Sequence, residues 1–202
     1  MLRSLLRAVC RAALPPGTPR WYRAQGLFAV LPRARGGRPC LQARFYQLTL
    51  PRCGSGLQLY GAVYLHRPER ISIGSRVLLN EGVHITGHED VVIGDDVMIC
   101  PYTVINSGDH AFGDPDVLIR EQGHLTGPIT IEDDTWIAAH CVVLRGLRIG
   151  SGAVVGAMSV VREDVPDKAV VAGVPAQVRR NRDAVAPAGA AGRYPRGRAE
   201  RR

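Results

Sequence analysis

Aliphatic residues recur at every sixth position through the middle of the chain. Twelve such positions are all Ile, Leu or Val, in three runs: Ile73, Leu79 and Ile85; Ile93, Ile99 and Ile105; and Ile131, Ile137, Val143, Ile149, Val155 and Val161. A two-residue slip separates the first two runs. An α-helix would need apolar residues every three or four positions, whereas a period of six fits a solenoid whose three flat faces close an 18-residue coil. We therefore predict an all-β fold, a parallel β-helix of about four coils from Ile73 to Pro166, with a further irregular coil around Leu59 and Leu65.

One long segment interrupts the repeat, NSGDHAFGDPDVLIREQGHLTGP at residues 106–128. Loops of this length are uncommon in compact domains, and most are either functional or disordered. The segment has no low-complexity run, and it contains two histidines and four carboxylates. We therefore predict that it belongs to a functional site.

Charge divides the chain into three segments. Residues 1–68 contain eleven arginines and no acidic residue, residues 69–178 contain seven basic and sixteen acidic residues, and residues 179–202 contain eight arginines and two acidic residues. We predict a basic N-terminal arm at 1–56, a β-helix domain at 57–180 and a disordered basic tail at 181–202, because the tail lacks apolar periodicity. The acidic body and the scarcity of aromatic residues in the arms argue against a nucleic-acid partner.

The start of the arm has the pattern of a basic amphipathic helix. Arg3, Arg7 and Arg11 repeat at four-residue spacing, and the apolar residues fall on the other side: Leu2, Leu5, Leu6 and Val9. Such a helix can lie on an anionic membrane surface, or it can pack on its own domain or on a neighbouring subunit. Both alternatives stay open for residues 1–15. A signal peptide is disfavoured because arginine interrupts each apolar run, and an organellar transit peptide is not excluded.

Five cysteines are scattered through the chain without a C-x-x-C pair. This pattern argues against a disulfide framework or structural zinc and favours a reducing compartment, so we expect a cytoplasmic protein. No apolar run approaches the roughly 18 residues of a membrane-spanning helix.

The C-terminal half of the chain resembles a known family. In ITIEDDTWIAAHCVVLRGLRIGSGAVVGAMSVVREDVPDKAVVAGVPAQVRR, the ordered elements TWIA, GAMSVV, DVP and AGVPA resemble the signature of hexapeptide-repeat acyltransferases, in the branch of maltose and galactoside O-acetyltransferases and exopolysaccharide acetyltransferases. The likeness covers about residues 70–180. It implies a left-handed β-helix, a homotrimer and acetyl-CoA as co-substrate, with no metal ion.

The same resemblance gives His110 the role of the catalytic histidine, on the last regular turn before the loop. Imidazole titrates near neutrality, so it can take the proton of a hydroxyl group whose oxygen attacks a thioester carbonyl. A carboxylate would hold the ring in one tautomer, and the sequence does not choose among four candidates: Asp109, Asp114, Asp116 and Glu121. We expect Asn106, Asp109 and His124 to contact the acceptor.

Small residues are expected to line a groove for coenzyme A. In the resembling enzymes the pantetheine arm runs between adjacent β-helices, where small side chains leave backbone groups accessible to its amides. Positions spaced by about 18 residues supply them here, beside an outward tryptophan: Trp136, Ala138, Ala139, Gly156, Ala157, Ala172 and Gly173. Arg162, Arg179 and Arg180 are candidates for the phosphates. Many relatives have threonine–lysine where this chain has Arg162–Glu163, and often a basic residue where it has Gln177, so the phosphate contacts stay open.

We predict an O-acetyltransferase that acts on a hydroxyl group of a sugar or glycan, and the basic arm suggests a membrane-associated acceptor at the inner face of the membrane. One alternative is a non-catalytic β-helix subunit. Another is a γ-class carbonic anhydrase, which needs three histidines converging on zinc. Five histidines are candidates: His84, His88, His110, His124 and His140. Their spacing lacks the paired pattern of such a site, His88 belongs to the slip, and His84 and His140 fit surface or interface positions.

Overall fold

Three helices precede the β-helix in the computed structural model, which describes residues 2–30 and 40–183. They are α1 (Leu2–Ala13), α2 (Pro19–Val30) and α3 (Leu41–Thr49). Among the helices of these two ranges, none combines the length and the apolar character needed to cross a bilayer. The tail predicted at 181–202 lies outside the described residues from residue 184 onward.

Short parallel strands form the three faces of a triangular prism. The first face contains β1 (Arg52–Cys53), β4 (Ile71–Ile73), β7 (Val91–Ile93), β12 (Ile129–Ile131) and β15 (Leu147–Ile149). The second contains β2 (Gln58–Leu59), β5 (Leu78–Leu79), β8 (Met98–Ile99), β13 (Trp136–Ile137), β16 (Val154–Val155), β18 (Ala169–Gly173) and the antiparallel β19 (Ala176–Asn181). The third contains β3 (Tyr64–His66), β6 (His84–Thr86), β9 (Val104–Asn106), β14 (Val142–Val143) and β17 (Val160–Val161). The hairpin strands β10 (Gly108–His110) and β11 (His124–Thr126) pair only with each other within the described chain.

Strands one coil apart pair in register, so their inward aliphatic residues stack. On the first face Ile73 aligns with Ile93, which aligns with Ile131. These residues are at most 2% exposed, and the equivalent columns on the other faces are also buried. The predicted left-handed parallel β-helix is confirmed. The predicted irregular coil at Leu59 and Leu65 is present as well, since β2 and β3 pair with the next coil.

Residues with left-handed backbone lie at all three corners, and between the third and first faces they include Arg67 and Gly146. Between the first and second faces, the non-glycine residues with positive φ are Arg76, Asp96, Asp134 and Lys168, and between the second and third faces they are Tyr102, His140 and Met158. Glycine occupies the equivalent positions of other coils, for example Gly152 with φ of 67°. Positive φ is uncommon outside glycine, and Asn, Asp and His are among the residues that tolerate it best.

Helices α2 and α3 cover the open end of the first coil. Trp21 and Tyr46 are fully buried there. The side-chain amide of Gln25 accepts a hydrogen bond from the Leu65 N–H at 2.9 Å and donates to the Leu65 carbonyl at 3.2 Å. An open strand edge exposes unpaired backbone groups. The buried amide satisfies these groups on β3 as another strand would.

Helix α1 packs with its basic side against the protein. Arg7 Nε donates to the Gln47 carbonyl at 2.9 Å, and an Arg11 nitrogen donates to the Pro51 carbonyl at 2.7 Å. The apolar side of the helix is exposed at Leu5, Leu6 and Val9. Of the alternatives for residues 1–15, the structure therefore shows packing on the chain's own domain.

Outward side chains differ between the three faces. The first face is polar and ion-paired, and Arg148 holds Glu132 through two hydrogen bonds of 2.6 and 2.7 Å. The outward rows of the second and third faces are largely apolar: Leu78, Met98, Trp136, Val154 and Val170 on the second, and Tyr64, Val104, Val142 and Val160 on the third. Two faces of the prism thus present apolar side chains to their surroundings.

Candidate active site

The interruption of the repeat leaves the prism at the corner between the third and first faces. Strand β9 ends at Asn106, and the chain rejoins the first face at β12. Between them, β10 and β11 form a hairpin in which His110 pairs directly with His124. At the base of the hairpin Gly127 lies so close to a later coil that a Cβ on it would be 2.8 Å from the Gly146 Cα. This close contact fixes the base of the hairpin against the β-helix, and His110 on the hairpin is exposed.

Four imidazole rings line up at this corner, and we call them the histidine row: His66, His88, His124 and His110. Ring centroids are 6.1 Å apart between His66 and His88, and 5.1 Å apart between His88 and His124. The centroids of His124 and His110 are 4.4 Å apart. Desolvation lowers the pKa of His88, and the positive charge of Arg67 lowers it further. The structure thus brings His110 and His124 together and adds two rings that the sequence did not assign to the site.

An arginine from a later coil holds Asp109. The Oδ2 atom of Asp109 accepts from Arg145 Nη1, and its Oδ1 atom lies 3.4 Å from the amide nitrogen of Asn106. In the part of the chain that the structure describes, none of the four predicted carboxylates lies within ion-pair distance of the His110 ring: Asp109, Asp114, Asp116 and Glu121. The neighbour of His110 in the described structure is therefore the ring of His124.

Small residues stack at a different corner, between the second and third faces. We call this set the small-residue strip: Ala138, Gly156 and Ala172, with Ala139, Ala157 and Gly173 beside them. The strip follows from the strand register, because the Ala138 N–H donates to β16 and the Gly156 N–H donates to β18, at 2.9 and 2.8 Å. A Cβ added to Gly156 would lie 3.0 Å from that of Ala172. The strip therefore has little room for larger side chains.

Trp136 borders the strip together with a thiol. The indole is 43% exposed, and its Nε1 donates to Cys100 Sγ at 3.3 Å. Cys100 takes the strip position one coil before Ala138, since its N–H donates to the carbonyl of Ile137 at 2.9 Å. The sequence did not assign Cys100 to the site.

The three arginines considered for the phosphates lie near the C-terminal end of the prism and are exposed. Arg162 Nε is 3.7 Å from a carboxylate oxygen of Glu163. Arg179 Nε donates to the Ala172 carbonyl at 3.2 Å, so this arginine contacts the strip. Arg180 lies on β19.

The histidine row and the small-residue strip lie at opposite ends of the third face. Strand β14 begins next to the strip, and β9, which pairs with it, ends at the hairpin. One chain therefore separates its own His110 from its own strip by the width of a face.

No three His, Cys, Asp or Glu side chains converge as metal ligands in residues 2–30 and 40–183. The rings of His88 and His124 stack instead, with an angle of 22° between their planes.

Neither Arg145 nor His88 was predicted from the sequence to belong to the candidate active site, for different reasons. Arg145 follows a regular aliphatic hexad, and nothing in the sequence links it to Asp109. His88 lies in the two-residue slip, and nothing in its spacing links it to the interruption at 106–128.

Comparison with known proteins relates these features to a family. The bacterial transferase hexapeptide model, of six repeats, matches residues 128–163. The chain is 35% identical over 119 residues to a galactoside O-acetyltransferase of Escherichia coli K12, covering 58% of this chain and 57% of that protein. It spans about half the length of the curated relatives that it matches.

Solved structures match over a larger share of the chain. A hexapeptide-repeat acetyltransferase of Vibrio cholerae complexed with acetyl-CoA aligns with a TM-score of 0.64 and 29% identity, over 69% of this chain and 75% of that one. A galactoside acetyltransferase in complex with coenzyme A aligns with a TM-score of 0.71 and 28% identity, over 80% and 78%. The predicted resemblance is thereby confirmed: the chain is similar to the hexapeptide-repeat acyltransferases, in the branch that includes the galactoside O-acetyltransferases.

Proposed function

We propose that the protein is an acyltransferase that moves an acetyl group from acetyl-CoA to a hydroxyl group of a sugar or glycan. The observation that carries this proposal is the hairpin at 107–128, which breaks the β-helix and holds His110 exposed next to a second imidazole. Relatives that act as galactoside O-acetyltransferases, and similar structures that bind acetyl-CoA or coenzyme A, support the same chemistry.

His110 is the general base of the proposed reaction. Its neutral imidazole takes the proton of the acceptor hydroxyl as the oxygen forms a bond to the thioester carbonyl carbon. Backbone N–H groups of a neighbouring coil stabilise the negative oxygen of the tetrahedral intermediate. The carbon–sulfur bond then breaks, and the coenzyme A thiolate leaves and receives the proton from the imidazolium. No covalent acyl-enzyme is needed.

The small-residue strip is the proposed groove for the pantetheine arm. The small side chains at Gly156 and Ala157 let the arm lie close to the chain there, and Trp136 can cover it from one side. Arg179 is the phosphate candidate best supported by position, because it already contacts the strip through the Ala172 carbonyl.

The assembly that fits this arrangement is a homotrimer. Within one chain the width of the third face separates His110 from the strip, so a combined site requires the hairpin of one chain and the strip of the next. The apolar outward rows of the second and third faces support such packing, because a contiguous apolar patch on a protein surface often marks an interaction site. We do not extend the proposal to a membrane contact of residues 1–15, because Arg7 and Arg11 donate to backbone carbonyls within the chain.

Substitution of the base tests the proposal directly. His110→Ala should lower kcat by about 100- to 10,000-fold, the usual contribution of a general base, with an unchanged Kd for acetyl-CoA. The measurements are release of the coenzyme A thiol with a methyl galactoside and with maltose as acceptors, and calorimetric titration of the full chain with acetyl-CoA.

Val92→Ala is the control, because Val92 is an exposed outward residue on the polar first face, outside the histidine row, the small-residue strip and the two apolar faces. This variant should keep the wild-type rate. Wild-type turnover by His110→Ala would exclude the assigned base, and a wild-type chain that does not bind millimolar acetyl-CoA would exclude the acyltransferase.

A further inference from the structure

We propose that His88 is a positioning residue for the candidate base: its ring supports the ring of His124, and His124 supports that of His110. This role rests on the proposed function, since it concerns the same site. His88 belongs to the described coil beneath the hairpin and lies outside the hairpin itself.

The two-residue slip of the repeat explains how His88 reaches this place. Three hexads make a coil of 18 residues, yet the first two coil steps each span twenty, because Leu65 aligns with Ile85 and Ile85 with Ile105. The additional residues widen the corner between the third and first faces, and His88 lies within them. The corner where the repeat slips is therefore the corner from which the hairpin rises one coil later.

The hairpin backbone lies directly on His88. A Cβ added to Gly108 would be 2.6 Å from the His88 Cβ and 2.7 Å from its Cγ, so only glycine fits at this position. The fully buried Ser107 joins the same two segments, because its hydroxyl accepts from the Glu89 N–H at 2.9 Å and donates to the Thr86 carbonyl at 2.9 Å. The start of β10 thus packs against the segment that contains His88 and is hydrogen-bonded to it.

The ring of His88 continues this contact into the site. Its centroid lies 5.1 Å from that of His124, and the two planes are 22° apart. The His124 ring in turn lies 4.4 Å from the ring of His110. On the other side the row reaches α2, because Tyr22 stacks on His66 at 5.9 Å. The candidate base therefore stands at the end of a continuous row of rings anchored in the N-terminal helices.

The uncharged state of His88 fits a packing role. Desolvation, Arg67 and the neighbouring imidazoles His124, His66 and His110 all lower the pKa of His88, which favours its neutral form. A neutral ring stacks on His124 without placing two positive charges together. It also adds no fixed positive charge beneath the imidazolium that forms on His110 during the proposed reaction.

Three single variants of the full chain test this role: His88→Ala, His88→Phe and the control Val92→Ala on the polar first face. Long-range proton–nitrogen NMR correlations report the state of each imidazole ring, and the acetyl-transfer assay and acetyl-CoA titration report the reaction. We expect His88→Ala to shift the ring signals of His124 and His110 and to lower kcat about 10- to 100-fold, the effect of slight misplacement of a catalytic group. The Kd for acetyl-CoA should not change.

The phenylalanine variant separates packing from chemistry. Because Phe keeps an aromatic ring without nitrogen atoms, His88→Phe should restore kcat to within a few fold of wild type and should keep the wild-type melting temperature. Unchanged ring signals and kcat in His88→Ala would overturn the inference, and so would equal loss of kcat in both His88 variants. If the wild-type chain transfers no acetyl group, the proposed function fails, and the NMR signals of His110 alone decide whether His88 positions it.

Discussion

Burial divides the cysteines into two chemical classes. Cys53 and Cys141 lie in the core, whereas Cys100 is partly exposed beside Trp136. Desolvation raises the pKa of the Cys53 thiol to about 12, in spite of the opposing charge of Arg7. Desolvation also raises the pKa of Cys141. Because the thiolate is the reactive form of cysteine, both buried thiols should be inert in the folded protein.

We predict that iodoacetamide at pH 8 modifies Cys100 in the native protein and leaves Cys53 and Cys141 unmodified. Saturating acetyl-CoA should slow the modification of Cys100, because this thiol belongs to the proposed donor groove. Peptide mass spectrometry over a time course measures each site separately. Cys10, also partly exposed, serves as the control that acetyl-CoA should not protect. Equal modification of Cys53 and Cys100 would contradict the burial argument.

The sequence identifies His110 better than it identifies the residues around it. His110 follows the last hexad before a break, and this order is visible without a structure. The partner of Asp109 is not visible, since Arg145 is 36 residues away and reaches Asp109 only through the stacking of coils. Contacts between coils depend on coil length, which the inserted segment at 106–128 changes.

At the scale of secondary-structure elements, the strands were predictable and two of the helices were not. Each inward aliphatic residue marks one strand, so the period of six gives the prism directly. In α2 the buried positions are Trp21, Gln25 and Ala29, and in α3 they include Gln42 and Tyr46. The side chains of Gln25, Gln42 and Tyr46 form hydrogen bonds with backbone groups at the open edge of the first coil. Because these polar residues occupy buried positions, the helices lack the apolar periodicity by which a buried helix is normally recognised.

The amide of Gln25 should contribute measurably to stability. Gln25→Ala leaves the N–H and carbonyl of Leu65 buried without this partner, and an unsatisfied buried group costs about 1–3 kcal/mol. We therefore expect the free energy of unfolding, from chemical denaturation, to fall by about that amount. Gln58→Ala, at an exposed position of β2, should change it by less than about 0.5 kcal/mol. Equal destabilisation by the two variants would show that Gln25 does not act as a cap of the strand edge.

At the scale of the whole molecule, the repeat predicts the core but not the assembly of the candidate site. The histidines of the row come from three separate parts of the sequence: His66, His88 and the hairpin pair His110 and His124. Coil offsets of 20 residues and the pairing of β10 with β11 bring them to one corner. Neither feature follows from the period of six, so the row could not be derived from spacing alone.

The difference between the faces of the prism leads to a matched test of the trimer. Val92 and Val104 belong to the same coil, point outward and are 43% and 37% exposed, but Val92 lies on the polar first face and Val104 on the apolar third face. Burying a glutamate side chain in an apolar interface is costly unless it is paired. Val104→Glu should therefore reduce the mass found by analytical ultracentrifugation from that of three chains toward the 21.9 kDa of one chain. Acetyl transfer should fall as well, because His110 and the strip of the next chain would no longer meet. Val92→Glu adds the same charge on the first face and should leave both mass and activity at wild-type values. A monomeric wild-type chain that transfers acetyl groups would exclude a shared site. If Val92→Glu dissociates the trimer and Val104→Glu does not, the interface proposed for the third face is wrong.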